Sequence, residues 1–156
     1  MNSSYYAKIT DINELRCFCS ERVRFLDPEE DFELLKEYFS NFGIHTDTDT
    51  YFGINLKDVK KEYAVDGSGI GRLCALVENR RILSLAGVEF CSKEAWEIRA
   101  VSTHPDHTGR GLSKAVCSFA AKYVLLSGRT AICETHLSNS AMRSVMHRIG
   151  MKQYRP

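Results

Sequence analysis

Three strand-like runs lie almost end to end in the middle of the chain: "GRLCALVEN", "RRILSLAGVEF" and "AWEIRAVST". They are parted only by short polar breaks, Asn79-Arg80 and Ser92-Lys93-Glu94. Such spacing reads as an antiparallel meander of three strands. Beyond the third run the period changes. Leu112, Ala115, Val116, Phe119, Ala120 and Tyr123 recur at helical spacing up to about Leu126, with Gly128 to end the helix. "TAICETHL" is the next strand, and Met142, Val145, Met146 and Ile149 mark a last helix from Ser140 to Ile149, closed by Gly150. A meander followed by β-α-β-α implies an α/β (α+β) fold: a mixed central sheet with helices on both faces.

The N-terminal half is less sharply punctuated. "SYYAKIT" alternates as a first strand, and Asp11 with Glu14 forms a capping box for a helix running to Phe25, with Ile12, Leu15, Cys19 and Val23 near one face. A second helix starts from Asp27 as N-cap, Pro28 in the first turn and Glu30 closing the box, and stops at Gly43; Phe32, Leu35, Phe39 and Phe42 form its apolar stripe. Between Ile44 and Gly71 the pattern weakens. "HTDTDTYFG" resembles a calcium loop, but Phe52 and Asp58 stand where an EF-hand needs Gly and Glu, so a solvated loop and a short helix around Leu56 to Tyr63 fit better. "DGSGIG" at 66–71 precedes a strand instead of following one, so it is a turn and not a dinucleotide fingerprint.

Composition excludes several classes of function. With 156 residues the chain is expected to form a single domain, 1–156. Lys plus Arg number 21 against 20 for Asp plus Glu, which leaves no basic footprint for nucleic acid. No apolar run approaches the roughly 18 residues of a membrane span, and the N-terminus lacks the regions of an export signal. Six cysteines without a CxxC pair or zinc spacing read as reduced thiols in a cytoplasmic protein, with no metal.

The chemistry-bearing segment is "STHPDHTGRGLSKAV", 102–116, a glycine-bearing loop between strand and helix. The unpaired amides of a first helical turn, the helix dipole and close backbone approach at glycine make an anion site, here from Gly109 to Ser113 with Arg110 and Lys114 adding charge. GxxxxGK[ST] is absent, so this is not a nucleotide-hydrolase loop.

The loop and the last helix together resemble the GNAT superfamily of N-acetyltransferases over about Leu73 to Met151. "VSTHPDHTGRGLS", 101–113, occupies the place of that family's [R/Q]-x-x-G-x-[G/A] motif, and "NSAMRSVMHRIGM", 139–151, matches its last helix, with an opening Asn and a closing Gly plus apolar residue. The resemblance implies a GNAT-like sheet and acetyl-CoA as co-substrate. It assigns the pyrophosphate to amides within Gly109, Arg110, Gly111, Leu112 and Ser113, near Thr108 and Lys114. It runs the pantetheine along Val101, Ser102 and Thr103, and turns Asn139 toward the cofactor. Thr108 stands where the family has Arg or Gln, and Ser113 where it has Gly or Ala. The family's C-terminal strands are reduced here to "KQYRP", so an exposed sheet edge, covered in a homodimer, is expected.

Amide formation needs a deprotonated amine, and a lysine-like amine has a pKa of about 10.4. The candidate base is Glu97, on the strand entering the loop; the alternative is a solvent-facing glutamate paired with Arg99. Alternation places Glu97 with Arg99, Val101 and Thr103, and Trp96, Ile98 and Ala100 on the other face. Glu89, Glu134 and His136 are secondary candidates. Where many family members carry a tyrosine acid in the last helix this chain has Met146, with His147 about 100° away. His104 and His107 read as polar loop residues, and Cys133 is the one thiol near enough to suggest an acyl-enzyme. The expected activity is direct acetyl transfer to a primary amine of a small molecule or peptide, with Asp47, Asp49 and Asp58 hinting at a cationic acceptor. The alternative is a degenerate acyl-CoA-binding or sensing module.

Overall fold

The computed structural model describes residues 3–18, 20–43, 50–51, 54–55 and 70–156. The expected features between Ile44 and Gly69 lie almost wholly outside these residues. Two short strands, β3 (Thr50–Tyr51) and β4 (Ile54–Asn55), pair there as a minimal hairpin.

The meander forms as read. β5 (Ile70–Glu78), β6 (Arg81–Glu89) and β7 (Ala95–Thr103) pair antiparallel in chain order. Asn79 and Arg80 both adopt positive φ, 51° and 60°, the two-residue turn whose twist suits a hairpin. At the next break Ser92 Oγ accepts from the amides of Glu94 and Ala95. α2 (Leu112–Leu126) comes next, then β8 (Thr130–His136), α3 (Ser140–Arg148) and β9 (Lys152–Gln153). β8 runs parallel to β7. Among the described residues seven strands make one mixed sheet in the order β2-β5-β6-β7-β8-β1-β9, where β1 is Ser4–Ile9 and β2 is Val23–Phe25.

Helices cover both faces. Leu35, Tyr38 and Phe39 of α1 (Phe32–Ser40) pack on Leu73, Ala75, Ile82 and Leu85. On the other face α2 and α3 bury Val116, Ala120, Val124 and Met146 against Cys74, Leu76, Leu83 and Val88. Trp96 is wedged there between Phe90, centroids 4.4 Å apart, and the Arg129 guanidinium 4.2 Å from its ring.

The N-terminal segment departs from the helix expected between Asp11 and Phe25. Asp11 does accept from the Asn13 amide, but it caps only one 3-10 turn, Ile12–Glu14. Glu14 reaches Lys152 at 3.0 Å instead of closing the box. The backbone beyond is taken by tertiary partners: Arg16 N donates to Ile149 O, Phe18 N to Ser118 Oγ, and Val23–Phe25 pairs with β5. Non-local bonds override the local cap, and Ile12 and Phe18 stay exposed. At α1, Asp27 caps the preceding turn through the Glu29 and Glu30 amides, but Asp31 and not Glu30 reaches back to the Asp27 amide. Arg24 binds both Asp31 carboxylate oxygens at 3.0 Å and, with that bond as the main cause, holds the Asp31 carboxyl below its ordinary pKa. Of the cysteines, Cys74, Cys91, Cys117 and Cys133 carry free thiols, whereas Cys17 is disulfide-bonded, against the expectation of reduced thiols throughout.

Gly150 shows how tightly the last helix is set. It has φ +104°, and a Cβ there would collide with the Glu14 carbonyl oxygen. Gly150→Ala is expected to lower unfolding free energy by about 2–3 kcal/mol, from backbone strain and displacement of the Ile12–Glu14 turn. Urea denaturation measures it; a loss under about 0.5 kcal/mol would contradict this packing.

Candidate active site

The sheet is unzipped at its centre. β7 and β8 pair from Ala95↔Thr130 to Ile98↔Cys133 and no further, although both strands continue. The cause lies in β7: Ala100 adopts φ +55°, and the pairing with β6 slips between Leu85 and Gly87. This β-bulge inserts one residue and inverts the alternation beyond it. Trp96, Ile98 and Val101 therefore pack in the α2 core, while Ala100 packs with the α1 core. The expected grouping of Glu97 with Val101 and Thr103 is corrected accordingly. Thr103 Oγ1 meets Ser113 Oγ of α2 at 2.8 Å, and Ser102 Oγ meets the buried Tyr38 hydroxyl of α1 at 2.7 Å.

The open seam is a cleft of about 660 Å³ between the end of β7, the loop into α2, β8 and α3. Val101, Ser102, Thr103, Thr108, Gly109 and Gly111 line it, as do Leu112, Ser113, Lys114 and Asn139. Gly109 and Gly111 have φ of 79° and 75°, which turn the loop sharply into the helix. Gly111 occupies the N-cap position without a side chain to cap α2, so the first-turn amides keep their anion-binding capacity. Lys114 stands at the same end, its Nζ 5.0 Å from the Phe18 ring centre. Asn139 caps α3 through the Met142 amide, at 3.1 Å.

Arg110 departs from its expected place: outside the cleft lining, its guanidinium lies 2.8 Å from His107 Nδ1. His107 itself lines the cleft, a role its loop position did not reveal. His104 is buried and caps the Pro105–His107 turn through Asp106 N. Met146 is fully buried in the core; Ala141, Met142, Ser144, Val145 and Arg148 are the α3 residues that reach the cleft. Burial, with the nearby Glu97 and Glu134 charges, pushes the Cys133 thiol up to about 12, which removes the thiolate an acyl-enzyme would need.

Glu97 lines a second hollow of about 510 Å³ with Ser4, Arg99, Glu134 and His136. Ile98, Arg99, Ala100, Glu134 and Thr135 border both spaces, so the two meet at the seam. Glu97 sits directly across the β6–β7 ladder from Glu89. Arg99 bonds to Glu89 at 2.8 Å, not to Glu97, which decides against the simple Glu97–Arg99 pair. Burial first, then the Glu89 charge, raises the Glu97 pKa; Arg99 opposes this and Glu134 adds to it. Ser4 and its strand escape sequence reasoning as site elements because β1 pairs with β8, 130 residues along the chain, and Ser4 Oγ donates to Glu134 at 2.7 Å. Among the described residues no His/Cys/Asp/Glu group is arranged to hold a metal ion, and no helix is long and apolar enough to cross a membrane.

The chain belongs to the FR47-like protein family, a GNAT-related family whose model matches residues 74–156. No curated protein sequence matches it. Solved structures show the same fold at low identity. A GNAT-family protein from Novosphingobium aromaticivorans superposes with TM-score 0.70 at 16% identity, over 98% of this chain and 60% of that one. A GNAT-family acetyltransferase from Colwellia psychrerythraea gives 0.69 at 18%, over 96% and 52%. YncA from Salmonella typhimurium, solved with its cofactor acetyl-CoA, gives 0.57 at 18%, over 82% and 77%. The chain thus spans 60% or less of the length of the first two.

The raised Glu97 pKa has a thermodynamic signature. Its folded-state value exceeds the unfolded one, so the native state holds a proton that unfolding releases. Stability should fall as pH rises from the ordinary carboxylate range through the raised value, then level off. Relative to Glu97→Gln, wild type should lose stability across that window in urea titrations; parallel pH profiles would show that the carboxyl is not held up.

Proposed function

We propose that this chain is a GNAT-type N-acetyltransferase moving the acetyl group of acetyl-CoA directly to the primary amine of a small molecule or peptide, on one domain. The observation that carries the reading is the seam itself. It joins an anion-binding loop and helix terminus on one side of the sheet to the half-buried Glu97 on the other. Acetyl-CoA fits the residues present: amides of Gly109 to Ser113 and the Lys114 ammonium would hold the diphosphate, and the edge of Val101 to Thr103 that β8 leaves unpaired would hold the pantetheine arm. When bound, it supplies the thioester.

Glu97 and Glu134 line the hollow at the seam, and Glu89 faces Glu97 across the ladder; this excess of carboxylates suits an acceptor that arrives as an ammonium. Glu97, with its raised pKa, is the base that takes the ammonium proton, directly or through a water. The neutral nitrogen then attacks the carbonyl; the C–N bond forms, the C–S bond breaks and the thiolate leaves, taking its proton from solvent. The absent tyrosine at Met146 is tolerable because a thiol with pKa near 8.5 is already a good leaving group. A cytoplasmic setting rests on the free thiols at Cys74, Cys91, Cys117 and Cys133, with the Cys17 disulfide standing against it, and the β9 edge of the sheet suits pairing with a second copy.

The buried Met146 also favours a second reading, an acyl-CoA-binding module without turnover. Two measurements separate them. Calorimetry is expected to show saturable binding of acetyl-CoA and none of ATP or NADH; failure to bind acetyl-CoA ends both readings. A screen of amine acceptors for thiol release should then show turnover that Glu97→Gln lowers by about 10²–10⁴ with acetyl-CoA affinity unchanged. Binding without thiol release from any amine would favour the sensing module.

A further inference from the structure

Three hydroxyls run in line from the core to the cleft: Ser84 on β6, Thr103 at the end of β7 and Ser113 in the first turn of α2. Ser84 is wholly buried. Its Oγ lies 2.8 Å from the Ser102 carbonyl oxygen and 3.1 Å from Thr103 Oγ1, which lies 2.8 Å from Ser113 Oγ. Each hydroxyl owns one proton, and a carbonyl only accepts. Ser84 must therefore donate to Ser102 O, or two oxygens would face each other at 2.8 Å without a proton. Ser84 then accepts from Thr103, and Thr103 accepts from Ser113. In this order every proton in the line points inward, and Ser113 turns its lone pairs toward the cleft.

An anion at the α2 terminus reverses the outer part of this order. Ser84 keeps its bond to the Ser102 carbonyl, while the Thr103 and Ser113 O–H bonds rotate outward, so that Thr103 donates to Ser113 and Ser113 to the anion. Three hydrogen bonds exist in either order, so nothing is lost in number. The acceptor given up is the Ser84 hydroxyl at 3.1 Å and the one gained is a charged oxygen, and hydrogen bonds to ionised groups are roughly twice as strong as neutral ones. Each bond in a buried chain also polarises the next.

We propose that Ser113 donates to the diphosphate of the bound thioester, and that Thr103 and Ser84 are positioning residues that set the direction of its proton. No covalent bond changes; only hydroxyl rotors turn. The inference rests on the acyl-CoA reading above. It supplies the side-chain donor that Thr108 is too short to provide and that Arg110, turned to His107, does not provide.

The test is calorimetric titration of the full chain with acetyl-CoA, together with phosphorus NMR of the bound diphosphate. Ser113→Ala should weaken binding by about tenfold and shift a diphosphate resonance, because a hydrogen bond to a charged group is lost. Ser113→Thr, which restores the hydroxyl, should recover wild-type affinity to within about threefold. Ser84→Ala removes the inward acceptor, so Ser113 already points outward; binding should stay level or tighten severalfold. A merely structural tie would give losses of the same sign for Ser113→Ala and Ser84→Ala, and that result, or unchanged affinity in Ser113→Ala, overturns the proposal. Absence of wild-type acetyl-CoA binding instead overturns the acyl-CoA reading, and the relay's role with it.

Discussion

The site depends on one alanine held where alanine does not rest easily. A left-handed conformation costs an L-residue roughly 1–2 kcal/mol, and Ala100 keeps it at φ +55° within β7. The surrounding sheet imposes it. β6 grips both sides of the bulge, through Gly87↔Arg99 below and Leu85↔Ser102 above, and the Ala100 methyl fills space in the α1 core. The result is geometric. The strand changes phase, its pairing with β8 ends, and the backbone beyond Ile98 is left open to a ligand. A regular strand would have continued the ladder and closed the cleft.

On the loop side of that opening the groups that would hold a ligand are mostly backbone: helix amides, a strand edge and two glycine turns. Side chains there would orient or add charge, and substitutions from the usual GNAT pattern fall on such positions. Thr108 and Ser113 change the side-chain donors without altering the path of the main chain. On the carboxylate side the balance is reversed. Glu89, Glu97 and Glu134 would act through their charges, and the environment of Glu97 is set by its partial burial and by Arg99 pairing with Glu89 instead.

The sequence disclosed what is local. The meander, the span of α2 and the last helix are legible in periodicity and punctuation, and the residues flanking the glycine loop come together at the cleft except for Arg110. Three features escape for separate reasons. The Asp11 to Phe25 segment carries a sound helix signal, yet Arg16, Phe18 and Val23 find stronger backbone partners far along the chain. A bulge is a one-residue insertion that no alternation can announce, so strict alternation sets Val101 and Thr103 on the wrong face. Periodicity identifies β1 as a strand but cannot say which strand it joins.

The seat of β1 has a consequence for how the molecule is assembled in time. β5 to β8 with α2 and α3 close through short connections, whereas Ser4 reaches Glu134 only by closing a loop of some 130 residues. Contacts at such separation carry the largest chain-entropy cost and tend to form late. The glycine loop and the seam can thus be in place while β8 is still an unpaired edge, and Ser4 completes the carboxylate-lined hollow only when β1 docks. The same asymmetry holds in the native ensemble. A local opening that frees β1 would dismantle one side of the hollow while leaving the elements that build the cleft intact.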